Sequence, residues 1–181
     1  MSEISRRIAF LLRHRPESAG LILDANGWVP VGDLLAVLPI GRAELDEIVA
    51  RDEKSRYAVE RRADGTEWIR ANQGHSRRVA VDLGLAPAAP PEVLFHGTPS
   101  RNRASILRDG LLPGSRHHVH LSPDVPTALV VGRRRARDVL VLRVAAAVMA
   151  AEGHVFHRSE NGVWLTAAVP PRYLMPERTN P

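Results

Sequence analysis

Residues 85–91, Leu-Ala-Pro-Ala-Ala-Pro-Pro, constrain this chain more than any other stretch, because closely spaced prolines permit neither a helix nor a central strand. The 181 residues are therefore read as two small domains, 1–84 and 92–181, joined by a stiff linker over 85–91. No internal repeat crosses that break.

Before it, residues 3–13 place Ile4, Ile8, Leu11 and Leu12 on one helical face, with Ser2 able to cap the start and Pro16 to stop the run. A short extended piece at Leu21-Ile22-Leu23 leads to an Asn26-Gly27 turn. Two short helices are expected around 31–38 and 42–51, with Leu34, Leu35, Leu45, Ile48 and Val49 as core candidates. A hairpin follows, Arg56 to Glu60 and Glu67 to Ala71 about a turn at Ala63-Asp64-Gly65. Helices followed by a hairpin form a winged-helix pattern, which is often used on nucleic acid. After the break the pattern turns β-rich. Strands are expected at Val93 to His96, His118 to Ser122 and Val139 to Val144. Helices are expected from Ser100, as cap, to Gly110, and over 126–135. A closing hairpin, near 155–158 and 163–169, turns on Glu160-Asn161-Gly162. The fold class is α+β.

The net charge is +5 and the isoelectric point is near 10.8, which favours a polyanionic partner, nucleic acid before acidic lipid. Lys54 is the only lysine. The planar fork of arginine grips phosphate in two places where lysine offers a point charge, although a general preference for arginine codons would produce the same bias. With no cysteine, disulfides, thiolate-ligated metals and a thiol nucleophile are excluded. The first 18 residues are charged on both sides of a short apolar stretch, unlike a secretory signal. No apolar run approaches the roughly 20 residues of a membrane span. A cytoplasmic protein with no membrane partner is expected.

Several residues could carry chemistry. Arg13-His14-Arg15 closes the first helix, where cations are also stabilised by the helix dipole alone, by about 0.3–1 kcal/mol. If Tyr57 and Val59 face the core, Arg56 points outward and reads as solvated. Trp68 and Arg70 share one strand face, and Gln73-Gly74-His75-Ser76 is a polar run suited to phosphates or to an ordinary loop. His117, His118 and His120 cluster, but they lack a helical His-Glu-x-x-His or any thiolate, so no metal is expected. Neither GxxxxGK[ST] nor GxGxxG occurs, so a nucleotide would not be held by a P-loop or a Rossmann turn.

Five segments in order carry a resemblance: Leu12 to Glu17, Ile69 to Ser76, Phe95-His96-Gly97-Thr98, Arg116 to Ser122, and Glu160 to Thr166. Together they resemble the NAD-dependent RNA 2′-phosphotransferases, over about residues 3–174. That resemblance implies a winged-helix RNA lobe followed by an ADP-ribosyltransferase-like NAD lobe. It implies an Arg-His-Arg-Arg tetrad at Arg13, His14, Arg56 and Arg116. NAD contacts would fall on His96, Gly97, Thr98, His120, Ser122, Asn161, Gly162 and Val163, and RNA contacts on Arg70, Gln73, His75 and Ser76. One departure is visible: the family commonly reads Val-Gly-x-Arg-His-Gly where this chain has Val131-Gly132-Arg133-Arg134-Arg135-Ala136, which puts a ligand role for that loop in question.

The implied reaction has two steps. An RNA 2′-phosphate displaces nicotinamide from NAD, and the resulting 2′-phospho-ADP-ribosyl RNA then yields 2′-hydroxyl RNA and ADP-ribose 1″,2″-cyclic phosphate. The substrate would be RNA bearing a 2′-phosphate and the enzyme a monomer. Protein-modifying ADP-ribosyltransferases use a catalytic glutamate where the resemblance places Val163, a change that a phosphate nucleophile tolerates because its second pKa is about 6. Two alternatives stay open: an ADP-ribosyltransferase acting on terminal phosphates of RNA or DNA, and a winged-helix nucleic-acid binder without chemistry.

Overall fold

The computed structural model describes residues 2–177. It mixes helix and sheet, and it divides into two compact units, Met1–Leu85 and Ala86–Pro181. Among the described residues, no helix is long and apolar enough to cross a membrane.

In the first unit, helix α1 (Glu3–Arg13) starts where the Ser2 hydroxyl accepts the Ser5 N–H at 3.1 Å. It buries Ile8, Leu11 and Leu12. A 3-10 turn, Pro16–Ala19, follows and ends on Gly20 in the left-handed region (φ 67°). The extended piece at residues 21–23 joins no sheet; the strand lies further on, at β1 (Trp28–Pro30). The Asp24 carboxylate, accepting the Asn26 and Trp28 N–H groups at 2.9 Å each, shapes the intervening turn. Helices α2 (Val31–Ala36) and α3 (Arg42–Ala50) precede the hairpin of β2 (Tyr57–Arg61) and β3 (Glu67–Ala71). The sheet order is β1-β3-β2, antiparallel throughout. Leu34, Leu45, Tyr57 and Ile69 close the core against α1. The condition that Tyr57 and Val59 both face the core holds for Tyr57 alone, since Val59 is 39% exposed. It stands opposite Ile69 on β2, a strand at the edge of the sheet.

The second unit contains β4 (Leu94–Pro99), α4 (Arg103–Asp109), β5 (Val119–Leu121), α5 (Val125–Arg133), β6 (Val139–Val144), α6 (Ala146–Ala151), β7 (Phe156–Arg158), β8 (Trp164–Thr166) and β9 (Leu174–Pro176). They form two antiparallel sheets, β4-β6-β9 and β5-β8-β7. Reciprocal bonds between Phe95 and Ser122, 2.9 and 2.7 Å, tie the first sheet to the second. Leu94, Leu121, Leu142, Met149, Phe156 and Trp164 meet in one core. Ser100 does not cap α4 as expected; its hydroxyl donates to Asp138 Oδ1 at 2.8 Å, and a 3-10 turn intervenes. The cap that does form is on α5, where Asp124 accepts the Thr127 N–H at 2.7 Å. The start of this unit is not a free tether, since the Ala88 N–H donates to Phe156 O at 2.8 Å.

Strand β4 and helix α5 cross at two glycines. A Cβ on Gly97 would stand 1.8 Å from Ala128 O, and one on Gly132 would stand 2.5 Å from the Val139 side chain and 3.1 Å from Gly97 C. Only bare backbone fits at that crossing.

Candidate active site

In the first unit, Arg13 ends α1 and His14 is its C-cap, donating its N–H to Phe10 O at 2.9 Å. The His14 ring leans on Phe10, with ring centroids 6.2 Å apart. The neighbouring Arg15 turns away, exposed and paired with Glu17 at 3.7 Å. Arg13 Nη2 donates to Arg56 O at 3.4 Å, and Arg13 O accepts the Ser76 N–H at 2.8 Å. Gly74, at φ 90°, lays bare backbone against the Arg13 guanidinium, within 4 Å of where its Cβ would be. Asn72 holds the other side, donating its N–H to Arg56 O (2.8 Å) and its Nδ2 to Ser55 O (2.7 Å). Arg13, Arg56 and residues 72–76 are thus brought together.

Arg56 is not the solvated outward arginine that strand alternation suggested. It lies just before β2, its side chain only 21% exposed, with Nη1 paired to Asp52. Among the RNA-contact candidates, Gln73 and Ser76 are half-buried and His75 is buried. Arg70 is also buried: its guanidinium lies 4.6 Å from the Trp28 ring centroid and donates to Leu83 O at 3.4 Å. Arg77 and Arg78, which no sequence motif singles out, are exposed beside them.

In the second unit, the tie between Phe95 and Ser122 sets His96-Gly97-Thr98 beside His120 and Ser122. His96 Nδ1 lies 3.0 Å from His120 O, and His120 Nδ1 lies 3.0 Å from His118 O. Burial pushes the His96 pKa down, with the charges of Arg135 and Arg116 adding to the effect. Burial and Arg116 bring His120 down to about 3. Both rings are therefore neutral near pH 7. A nitrogen facing a carbonyl must carry the hydrogen, so each Nε2 presents a lone pair.

Strand β8 pairs with β5 from Thr166 to Trp164, and one step further brings Val163 level with Ser122. The loop before it is organised by Ser159, which is buried: its hydroxyl donates to Asn161 Oδ1 (2.7 Å) and lies 3.0 Å from Val163 O. Gly162 turns at φ 78°. Ser159 was not singled out from sequence, though a serine before Asn-Gly is a turn-forming signal.

Arg116 is partly buried, and burial and the charges of Arg135 and Arg134 push its pKa down. Three guanidiniums near two neutral imidazoles form a field that an anion offsets. Lone pairs on imidazole suit ribose hydroxyls, and guanidiniums suit a pyrophosphate, so this donor set fits NAD. Among the described residues no group of three or more His, Asp or Glu could hold a metal ion.

The lowered histidines make a pH prediction. An unfolded histidine titrates near 6.5, whereas folded His120 resists protonation until about 3. Stability should therefore be flat above pH 6.5 and decline as pH falls from there toward 3, because the unfolded state binds the proton first. Urea midpoints measured across that range should show the decline, and His120→Asn should make it shallower, His96 contributing the rest. An unchanged slope in that variant would contradict the assignment.

A model of the family described as RNA 2′-phosphotransferase, Tpt1 / KptA family, matches residues 1–168. A Rhizobium leguminosarum bv. trifolii protein named "Probable RNA 2′-phosphotransferase" is 49% identical over 99% of this chain and 96% of its own length. One of the same name from Streptomyces griseus is 52% identical, covering 96% of this chain and 95% of itself. Another, from Pseudomonas aeruginosa (strain UCBPP-PA14), is 48% identical over 96% of each. The chain belongs to the RNA 2′-phosphotransferase, Tpt1 / KptA family.

Proposed function

We propose that this chain removes internal 2′-phosphates from RNA and transfers them to NAD. The observation that carries this reading is the convergence of Arg13, Arg56 and residues 72–76 in a chain whose family match runs through all of them. The reading takes residues 1–84 as a winged-helix RNA lobe, 85–91 as a linker and 92–181 as an ADP-ribosyltransferase-like NAD lobe. The helices and three-stranded sheet of the first unit and the paired antiparallel sheets of the second support those assignments.

Bound NAD supplies an electrophilic ribose carbon with nicotinamide as its leaving group. His96, Gly97, Thr98, His120, Ser122, Asn161, Gly162 and Val163 would hold it. Arg13, His14, Arg56 and Arg116 would grip the 2′-phosphate. A phosphomonoester is largely dianionic at neutral pH, so no carboxylate base is needed, and Val163 is compatible with that chemistry. Phosphoryl transfer then depends on positioning and on cations around the equatorial oxygens, which guanidiniums provide without a metal. The His14 imidazole, which can both donate and accept a proton, is suited to move one.

Of the RNA-contact candidates, half-buried Gln73 and Ser76 would meet RNA, while Arg70 and His75, which are buried, would support the segment that presents them. Because phosphate contacts release counterions, affinity for phosphorylated RNA should fall steeply between about 50 and 200 mM salt. Flat affinity across that range would remove the electrostatic part of the reading.

Two oligonucleotides test the function: one with an internal 2′-phosphate and one with only a terminal phosphate, each incubated with NAD. The proposal expects 2′-hydroxyl RNA from the first. ADP-ribose retained on the second, with the first untouched, would favour modification of terminal phosphates.

A further inference from the structure

Arg56 sits in an unusual frame. Helix α3 ends at Ala50, and the chain then turns tightly so that the Asp52 N–H donates to Val49 O at 3.2 Å and the Ser55 N–H donates to Asp52 O at 2.7 Å. Ser55 adopts φ 41°, the one non-glycine residue among those described with a left-handed backbone. Such a conformation persists only where surrounding contacts over-determine it. Here they are the Asp52 carboxylate and the Asn72 amide. Asp52 Oδ2 accepts the Arg56 N–H at 2.5 Å while Oδ1 pairs with Arg56 Nη1, so one carboxylate holds both ends of the same residue. Its side chain is 4% exposed. Asn72, itself buried, ties down the carbonyls of Ser55 and Arg56.

We infer that Asp52 is the positioning residue for Arg56: by gripping backbone and guanidinium together, it fixes which edge of the arginine is presented to the substrate phosphate. The inference rests on the reading of Arg56 as a phosphate contact. A free arginine side chain samples many rotamers, and ordering it at the moment of binding is costly. Asp52 removes that cost beforehand. It occupies a hydrogen of Nη1 and leaves the donors of Nε and Nη2 for an anion. The buried carboxylate is poorly placed to contact RNA itself, which separates its role from that of the arginine it holds.

The test compares Asp52→Ala, Asp52→Asn, Arg56→Ala and the double variant Asp52→Ala/Arg56→Ala, on RNA with an internal 2′-phosphate and NAD. Misplacing a catalytic group by an ångström can cost about a hundredfold, so Asp52→Ala should lower kcat by roughly tenfold to a hundredfold, with the KM for NAD unchanged. Asp52→Asn keeps an oxygen for the Arg56 N–H but turns its amide hydrogens toward Nη1, so it should stay nearly as slow as Asp52→Ala, with thermal unfolding showing that both variants fold. The double variant should be no slower than Arg56→Ala alone, because Asp52 acts only through Arg56. Wild-type kcat in Asp52→Ala beside a slow Arg56→Ala would overturn the inference and leave the Arg56 reading standing. A double variant slowed by the product of the two single losses would also overturn it. Wild-type turnover by Arg56→Ala would remove the Arg56 reading, and this inference with it.

Discussion

Arg56→Ala and His14→Ala should each leave RNA that still carries its 2′-phosphate or that has acquired ADP-ribose, with almost no 2′-hydroxyl product. A hydrogen bond to a charged group is worth about 1.5–3 kcal/mol, so removing one such bond slows the reaction by roughly tenfold to a hundredfold. Either single loss can exceed that, since a misoriented phosphate is held less well by the donors that remain. Arg56→Ala carries a second effect, because it strands the Asp52 carboxylate, which is 4% exposed. Breaking such a pair from one side can cost about 3–5 kcal/mol of stability. Unfolding curves must therefore accompany the kinetics, and Arg56→Lys, which keeps a charge without the fork, separates the two effects. His14→Ala removes a ring that leans on Phe10, and its unfolding curve is needed in the same way. Chromatography of the RNA products reads the outcome, and wild-type turnover in His14→Ala would remove that residue from the mechanism.

Gly97→Ala should damage folding more than any other single methyl in the second unit. Its Cβ would lie 1.8 Å from Ala128 O, a backbone atom in the middle of α5 that cannot rotate aside. Overpacking typically costs about 1–3 kcal/mol, and a collision with backbone belongs at or above the top of that range. For a unit of about a hundred residues this corresponds to a loss of more than roughly 10 °C in melting temperature. Gly20→Ala serves as the comparison. Its φ of 67° is positive, unlike that of Gly97, but no atom lies within 4 Å of the added carbon, so only backbone strain of about 1 kcal/mol is expected. Equal melting temperatures for the two variants would contradict the close crossing. The Gly97 prediction also bears on the site, because the same crossing brings the turn bearing Arg134 and Arg135 close to His96.

Much of the fold is legible in the sequence where side-chain periodicity is strong. The α1 stripe of Ile8, Leu11 and Leu12 and the apolar run of β6 are read directly, as is the turn on Asn161-Gly162. Strand β1 is hidden because Trp28-Val29-Pro30 ends in a proline, which argues against a central strand. It is tolerated because β1 is at the edge of its sheet. Helix α6 and strand β9 are too short to show a period. Of the site, the tetrad positions come from the ordered motifs, but the contacts that hold them do not. Asp52 and Arg56 are four residues apart, the spacing of a helical ion pair, yet α3 has already ended and the pairing depends on the Ser55 turn. Asn72 reaches Ser55 across 17 residues of chain, and Ser159 works inside a loop; neither leaves a mark in apolar patterning. The crowding of Arg116 by Arg134 and Arg135 is likewise a product of tertiary packing.

The central claim is that the phosphate moves from RNA to NAD-derived ribose, and the most direct measurement follows that phosphorus. RNA labelled only at an internal 2′-phosphate, incubated with the enzyme and NAD, is predicted to lose its label to ADP-ribose 1″,2″-cyclic phosphate as 2′-hydroxyl RNA appears. Label that stays on the RNA, or leaves as inorganic phosphate without need of NAD, would contradict the account.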